Sequence, residues 1–320
     1  MNAIISKILS GKEITPSSLL DELSVLFPLV SALAETPQDP EWHAEGDVRT
    51  HTEMVVAEAI NIADSSLAAQ PNVDDRLIQI LGAALHDIGK ALTTREAFIN
   101  GKTRIVSPHH PERGRSYLAP RLSSLEIPWS LCDGILSLVG YHHAPAKLVV
   151  RGKSRHDFFA LARAVNFRLV YLLELADLKG RVLATESNDR DGFETLELFR
   201  QCADEFGLWP DGNTIYESWQ SLINSEIANE SEARYVLSKG IRDFESGVIF
   251  TPQEEIARNY EWRSNHSELI VMCGVSGSGK SEWIKQHCKG FEVIALDDIR
   301  QRITGKASDL RKSGQVLQQA

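Results

Sequence analysis

The chain has 320 residues, 42% of them hydrophobic, which suits two domains or one large domain with an appendage and excludes a disordered or fibrous chain. A net charge of −10 excludes broad adhesion to a phosphate backbone, which needs many Lys and Arg contacts, but leaves room for a local basic patch that reads a nucleic-acid end. Cys132, Cys202, Cys273 and Cys288 form no C-x-x-C pair, which argues against zinc-ribbon and disulfide frameworks, and with no leader-like N-terminus and no run near the ~20 apolar residues of a membrane span a soluble cytoplasmic protein is expected.

Between Ser17 and Ala34, Leu19, Leu20, Leu23, Val25, Leu26 and Leu29 recur near helical spacing, with Pro28 disturbing the later part. Pro37 and Pro40 then break the pattern. Asp47 is a candidate N-cap for a helix carrying His51, Met54, Val55 and Ala59. The next helix runs from about Asp74 to Lys90, with Gly89 placed to stop it and His86 and Asp87 in its last turn. Helices follow at about Arg113 to Leu122, Trp129 to His142 and Ala160 to Leu183, the last apolar enough to be central, then at Glu194 to Phe206 and Asn213 to Ala228. No alternating strand pattern precedes Leu269, so the first two hundred residues read as all-α. At Glu268 to Gly274 an apolar run enters a glycine loop and a helix from Lys280, and a second apolar run, Phe291 to Leu296, follows. That is a β-α-β order, the opening unit of a parallel sheet.

Chemistry-bearing residues are dispersed along the helical part. A lone His86-Asp87 pair is most often just an exposed dipeptide. Here it is accompanied by His51 on the preceding helix, His110 and His142 in later segments, and Asp177 on the long apolar helix. An ionised aspartate on a largely buried helix costs several kcal/mol unless a cation pairs with it. A metal would supply one.

The series His51, His86-Asp87, His110, His142, Asp177 resembles the HD superfamily of metal-dependent phosphohydrolases, in the version with extra histidines that can hold two metals. The strings that carry the likeness are Leu85-His86-Asp87-Ile88-Gly89-Lys90, His110-Pro-Glu-Arg-Gly114, Tyr141-His142-His143 and Ala176-Asp177, within about Trp42 to Arg181. The stretch Trp42-His43-Ala-Glu-Gly-Asp47-Val-Arg-Thr-His51-Thr is especially similar to the HD domain attached to bacterial tRNA nucleotidyltransferases, whose nucleotidyltransferase head is expected to be absent. The resemblance implies one metal on His51, His86, Asp87 and Asp177, a second reached by His110 and His142, and Asp87 as the bridge. Such donors suit Mn, Fe, Co, Ni or Zn. His43 reads as a phosphate contact or proton donor, with metal ligation as its alternative. His109 and His143 stay open as replacements for His110 and His142. Lys90, Arg113 and Arg181 read as substrate-phosphate contacts or, alternatively, as solvated helix-end caps. The basic run from Lys147 to His156, with Arg151, Lys153 and Arg155, is either an exposed loop or a guide for a phosphate backbone.

Gly274-x-x-x-x-Gly279-Lys280-Ser281 satisfies the phosphate-loop pattern in the strand-to-helix context that the motif requires. In it the backbone of Gly274, Gly277, Ser278 and Gly279 would cradle phosphates, Lys280 would contact the β- and γ-phosphates and Ser281 would meet magnesium, so ATP or another nucleoside triphosphate is the expected ligand. Asp297-x-x-Arg300 resembles the acceptor-side motif of 5′-hydroxyl polynucleotide kinases, which implies Asp297 as general base and Arg300 as acceptor-phosphate contact. The alternative is an acidic strand end with Asp298 as a helix cap.

An HD module followed by a P-loop is similar to the bifunctional HD-polynucleotide kinase family of nucleic-acid end-healing enzymes. This implies removal of 2′,3′-cyclic, 2′ and 3′ phosphates by the first module and phosphorylation of 5′-hydroxyl ends by the second. Gly314-Gln-Val316 is similar to the start of that family's next kinase segment, and the kinase module is expected to be incomplete, because two strands and one helix cannot cover a parallel sheet. The chain thus reads as mainly α: an N-terminal helical segment over 1–40, an HD-superfamily domain over 41–190, a helical connector over 191–266 and part of a P-loop α/β kinase unit over 267–320. Its expected partners are RNA or other polynucleotide ends and a nucleoside triphosphate, with no membrane. Two rival functions are a small-nucleotide HD phosphohydrolase with a vestigial P-loop and a non-catalytic RNA-binding or regulatory module.

Overall fold

The computed structural model describes residues 3–9, 14–65, 73–184, 187–210, 214–259 and 269–319. Asn213 and Glu268, the expected starts of a helix and a strand, lie outside these residues. The chain divides into two compact units, Met1–Glu261 and Trp262–Ala320. The described residues are mainly helical, with one two-stranded sheet. Among them no helix is long and apolar enough to cross a membrane.

In the first unit α1 (Ala3–Leu9), α2 (Pro16–Leu26) and α3 (Leu29–Ala32) precede the site-bearing helices, with Pro28 separating α2 from α3. α4 (Val48–Asp64) starts where Asp47 caps it, the carboxylate accepting from Thr50 N at 2.8 Å. α5 (Val73–Leu85) is buried along its last nine residues. It stops at Leu85, short of the expected Lys90, so His86 and Asp87 lie in the turn beyond it rather than in its last turn. Close packing explains the turn: a Cβ at Gly89 would lie 2.0 Å from the His110 carbonyl oxygen and 2.7 Å from Gly114 N.

After α6 (Lys90–Thr93) comes a hairpin absent from the sequence-based expectation, β1 (Arg95–Ile99) paired antiparallel with β2 (Lys102–Val106). Asn100 and Gly101 form its turn at φ +50° and +80°, the two-residue hairpin geometry that Asn-Gly favours. Its pattern of exposure does not alternate, which is why period-two reading passes over it.

α7 (His110–Leu118), α8 (Trp129–Tyr141) and α9 (Ala144–Val150) follow. The expected single helix from Ala160 to Leu183 is instead α10 (Arg155–Ala162) and α11 (Phe167–Lys179). Asn166 begins α11 afresh, its side chain accepting from Leu169 N at 3.0 Å. α4, α5, α8 and α11 enclose the main core, with Val55, Leu81, Ile135, Val139 and Leu173 fully buried. α12 (Ser187–Glu205), α13 (Thr214–Glu226), α14 (Glu230–Glu245) and α15 (Pro252–Arg258) complete the unit. A smaller apolar cluster there holds Ile223, Ile227, Ala233 and Val236.

The second unit contains α16 (Lys280–His287), α17 (Leu296–Thr304) and α18 (Ser313–Gln319), which includes Gly314 and Val316. The two expected strands are not formed among its described residues: 269–273 and 291–295 have no strand pairing, and α17 starts at Leu296 after Ala295 rather than being capped by Asp298. A strand requires a hydrogen-bonded neighbour, and neither segment has one here. Leu269, Val271, Val293 and Ile294 are correspondingly exposed.

Candidate metal centre

Helix ends and turns bring six donors together. α4 presents His51 from its first turn, the turn after α5 presents His86 and Asp87, and α7 begins with His110. His142 follows α8 directly and α11 supplies Asp177. All six are buried.

Asp87 lies between two sets. Its Oδ2 is 3.3 Å from His86 Nε2 and 3.7 Å from His51 Nε2. Its Oδ1 is 3.1 Å from His110 Nε2 and 3.8 Å from His142 Nε2. Asp177 Oδ1 joins the first set, 2.9 Å from His51 Nε2 and 3.9 Å from His86 Nε2. His143 joins the second, where His110, His142 and His143 offer nitrogens within 4.8 Å of one another. His143 thus lies beside His110 and His142 in the cluster, displacing neither from it. His109 is exposed, at φ +57°, and lines a separate cavity with Arg113, so neither reaches the donors.

The hydrogen bonds decide whether a cation fits. Nδ1 of His86, His110 and His142 each lies 2.8 Å from the carbonyl three residues earlier, those of Ala83, Ser107 and Val139. A carbonyl only accepts, so each Nδ1 carries the proton and each Nε2 turns a lone pair inward. His110 Nε2 and His142 Nε2 then face each other at 3.3 Å. His51 Nε2 and Asp177 Oδ1, though 2.9 Å apart, do not align as donor and acceptor. His86 Nε2 and Asp87 Oδ1 likewise lack an aligned partner. Buried lone pairs facing lone pairs are stabilised by cations between them, and imidazole Nε2 with carboxylate is the donor chemistry of a divalent transition metal.

By themselves the donors divide in protonation, His142 and His143 matching that fit and His51 holding a proton that a cation would have to displace. Burial opposes ionisation of Asp87, yet His86 and Lys90 hold its carboxyl well below the usual range. Burial likewise opposes charge on Asp177, which His51 outweighs. Burial, then neighbouring histidine charge, pushes His142 down and His143 down to about 3, leaving neutral rings. For His51 burial is overcome by Asp177 and Glu45, which raise the ring to about 9.

His43 turns its Nδ1 to Glu45 Oε1 at 2.8 Å, and its ring meets that of His51 edge-on with centroids 4.6 Å apart. Burial, only partly offset by Glu45, lowers its pKa. Reasoning from sequence does not single out Glu45. It lies 2.9 Å from His51 Nδ1 and accepts from Val182 N at 3.0 Å, tying the two histidines to the segment after α11. The signal for it is an acid two residues after one candidate histidine and six before another. Lys90 is buried, its Nζ 2.6 Å from Asp87 Oδ2 and donating to Gln38 Oε1 at 2.7 Å. Arg181 lines the same cavity of about 290 Å³, together with Trp42, His43 and His143.

Glu174 stands one turn before Asp177 on α11. Burial, reinforced by the charge of Asp177, pushes its carboxyl up to about 8, against the Ala146 amide that donates to it. The folded state then keeps a proton that the unfolded chain releases near its ordinary value of 4.5. Stability therefore falls as pH rises from there towards 8 and levels off above. Glu174→Gln, permanently neutral, should match the metal-free wild type near pH 5 and exceed its stability at pH 8.5 by ~3 kcal/mol, measured by urea unfolding. Equal stability at both pH values would refute the buried acid.

The basic run after His143 is only partly a free surface. Arg155 places its guanidinium over the rings of Phe244 and Phe159, 4.5 and 5.1 Å from their centroids. Lys153 lies 3.9 Å from Asp157, while Arg151 is exposed.

In the second unit Gly274 to Gly279 leads directly into α16, with Gly277 and Gly279 at φ +79° and +83°, values that favour glycine. Lys280 curls back so that Nζ donates to the carbonyls of Gly274 and Val275 at 2.8 and 2.7 Å. Gly277, Ser278 and Ser281 are exposed around it. Asp297 lies in the first turn of α17, paired with Arg300, which also donates to the Ala307 carbonyl at 2.9 Å.

Residues 269–320 match the family model described as AAA domain. Among curated proteins, the chain is 31% identical over 121 residues to the Multifunctional CCA protein of Psychromonas ingrahamii, covering 38% of this chain and 25% of that protein. It is 26% identical over 213 residues to the protein of the same name from Pasteurella multocida, covering 64% and 42%. For that of Halorhodospira halophila the figures are 34% over 130 residues, 40% and 27%. The chain thus carries a P-loop domain of the AAA type and a partial likeness to Multifunctional CCA proteins, spanning less than half the length of each.

Proposed function

We propose that the chain is a metal-dependent phosphohydrolase that removes 2′,3′-cyclic, 2′ or 3′ phosphates from RNA ends, and that its second unit is part of an ATP-dependent 5′-hydroxyl polynucleotide kinase. The observation that carries the proposal is the divided donor set around Asp87, with three histidines locked as Nε2 donors by their own backbone carbonyls. His51, His86, Asp177 and Asp87 Oδ2 would hold one divalent ion. His110, His142 and Asp87 Oδ1 would hold a second, with His143 beside them. Such ions supply Lewis-acid polarisation of a phosphoryl oxygen and acidify a water molecule.

The surrounding side chains do the rest. Lys90 and Arg181 line the cavity where a phosphate would sit. His43, oriented through Nδ1 by Glu45, keeps Nε2 for a proton to the leaving oxygen or for a phosphate oxygen. Polynucleotide ends as substrate are supported by the likeness to Multifunctional CCA proteins and by the P-loop in the same chain, where Lys280, Asp297 and Arg300 would serve the kinase.

A single substrate tests both units: an oligoribonucleotide with a 2′,3′-cyclic phosphate and a 5′-hydroxyl, incubated with Mn and ATP. The expected result is phosphate loss from the oligomer with kcat/KM about tenfold or more above that for the corresponding 2′,3′-cyclic mononucleotide. Equal efficiency would move the function to free nucleotides. Phosphate loss from neither would remove the hydrolase assignment, and transfer of labelled phosphate to the 5′ end reports the kinase separately.

A further inference from the structure

Immediately beside the metal centre stands a large aromatic side chain that its chemistry does not use. Trp42 is 41% exposed and lines the same cavity as Asp87, His110 and Asp177. It precedes His43, whose ring meets His51. Among the described residues, no hydrogen bond or aromatic ring engages its indole.

The backbone beneath the ring is nonetheless fixed on two sides. Trp42 N and His43 N both donate to the Asp39 carbonyl, at 3.1 and 2.9 Å. The Asp39 carboxylate accepts from Arg104 Nε at 2.7 Å and Ile105 N at 3.2 Å, fastening the loop to β2. On the other side Ala44 N donates to the Val182 carbonyl at 2.7 Å and Ala184 N to that of Glu41 at 3.3 Å. A part-exposed aromatic side chain on a pinned loop is pre-organised for a flat apolar ligand, since little ordering cost remains to be met on binding. Ile105 lines the same cavity as Trp42. Trp42, Asp39 and Ile105 also line an adjoining cavity of about 570 Å³ that continues along the hairpin past Asn100 and Lys102.

We propose that Trp42 is the stacking platform for the terminal nucleobase of a single-stranded polynucleotide end, holding the last sugar over the metal centre while the preceding nucleotide runs along the hairpin. This rests on the phosphohydrolase assignment for the adjoining centre. Nucleobase–aromatic stacking tolerates any base, so the site selects a nucleoside end over a bare sugar phosphate without choosing a sequence. The hairpin's role is to hold Asp39, and through it the loop, in place.

The test compares two fluorescently labelled single-stranded oligoribonucleotides ending in a 3′-hydroxyl, one with its terminal base and one with an abasic terminal ribose. Binding to the full chain is read by anisotropy, with no turnover required. The wild type should bind the intact end about tenfold more tightly. Trp42→Phe should keep most of that preference and Trp42→Ala should bring it within about twofold of unity, with an unchanged thermal unfolding curve showing that the fold is retained. Equal binding of both oligonucleotides by the wild type, or a preference that survives in folded Trp42→Ala, would overturn the proposal. Terminal-base preference in this assay, with no phosphate released from the same oligonucleotide carrying a 3′-phosphate, would instead defeat the hydrolase assignment and leave the platform standing.

Discussion

Replacing Asp87 with alanine is expected to remove bound metal and lower phosphate release by about a thousandfold. One carboxylate oxygen faces His51 and His86 and the other faces His110 and His142, so the substitution strips an anionic donor from both sets at once. Asp177 would then be the one carboxylate of the six donors left to balance two divalent charges. A second consequence concerns the fold. Lys90 would lose the carboxylate 2.6 Å from its ammonium and keep Gln38 as its partner, a loss of ~3 kcal/mol for a buried pair broken on one side. Asp87→Asn also removes the charge but preserves shape and leaves Lys90 an amide oxygen to accept its hydrogen bond, so it should lose metal with a smaller cost to the fold. Both variants should show less metal by elemental analysis, and the alanine variant should also unfold at lower urea. Wild-type metal content and activity in Asp87→Ala would sink the bridging role.

A single methyl group at Gly89 should do nearly as much without touching a donor. Its carbon would come within 2.0 Å of the His110 carbonyl oxygen, a separation that leaves no room. α7 would have to move, and His110 is the first residue of α7. Gly89→Ala is expected to cost ~3 kcal/mol or more of stability. It should also lower metal stoichiometry through the His110 side, while His51, His86 and Asp177 keep their places. Urea unfolding and metal analysis check the two halves. A variant with unaltered stability and full metal content would show that α7 shifts freely.

That His51, His86, Asp87, His110, His142 and Asp177 gather in one place was legible through their order and its resemblance to the HD superfamily, and Asp177 on apolar α11 added a burial problem stated in the sequence itself. Glu45 was less visible, lying in a cap loop where acids are ordinary, and its role depends on two histidines meeting in space. The break between α10 and α11 was hidden because apolar residues continue through Asn166, whose capping bond exists only once the chain has turned. The hairpin had one signal, Asn100-Gly101, between strands whose exposure does not alternate. Residues 269–273 and 291–295 were readable as apolar runs, but strand formation belongs to a pair and cannot be settled within one segment.

The three bonds from histidine Nδ1 to the carbonyl three residues back are short-range, each contained within one local stretch of chain. Ring direction is thus written into each helix end before the ends meet. Assembly of the centre reduces to docking three preset parts, whose aim needs no ion to hold it. Were the centre to hold ions, their exchange with solution would be a matter of passage through the cavity, not of rebuilding the protein around a new arrival.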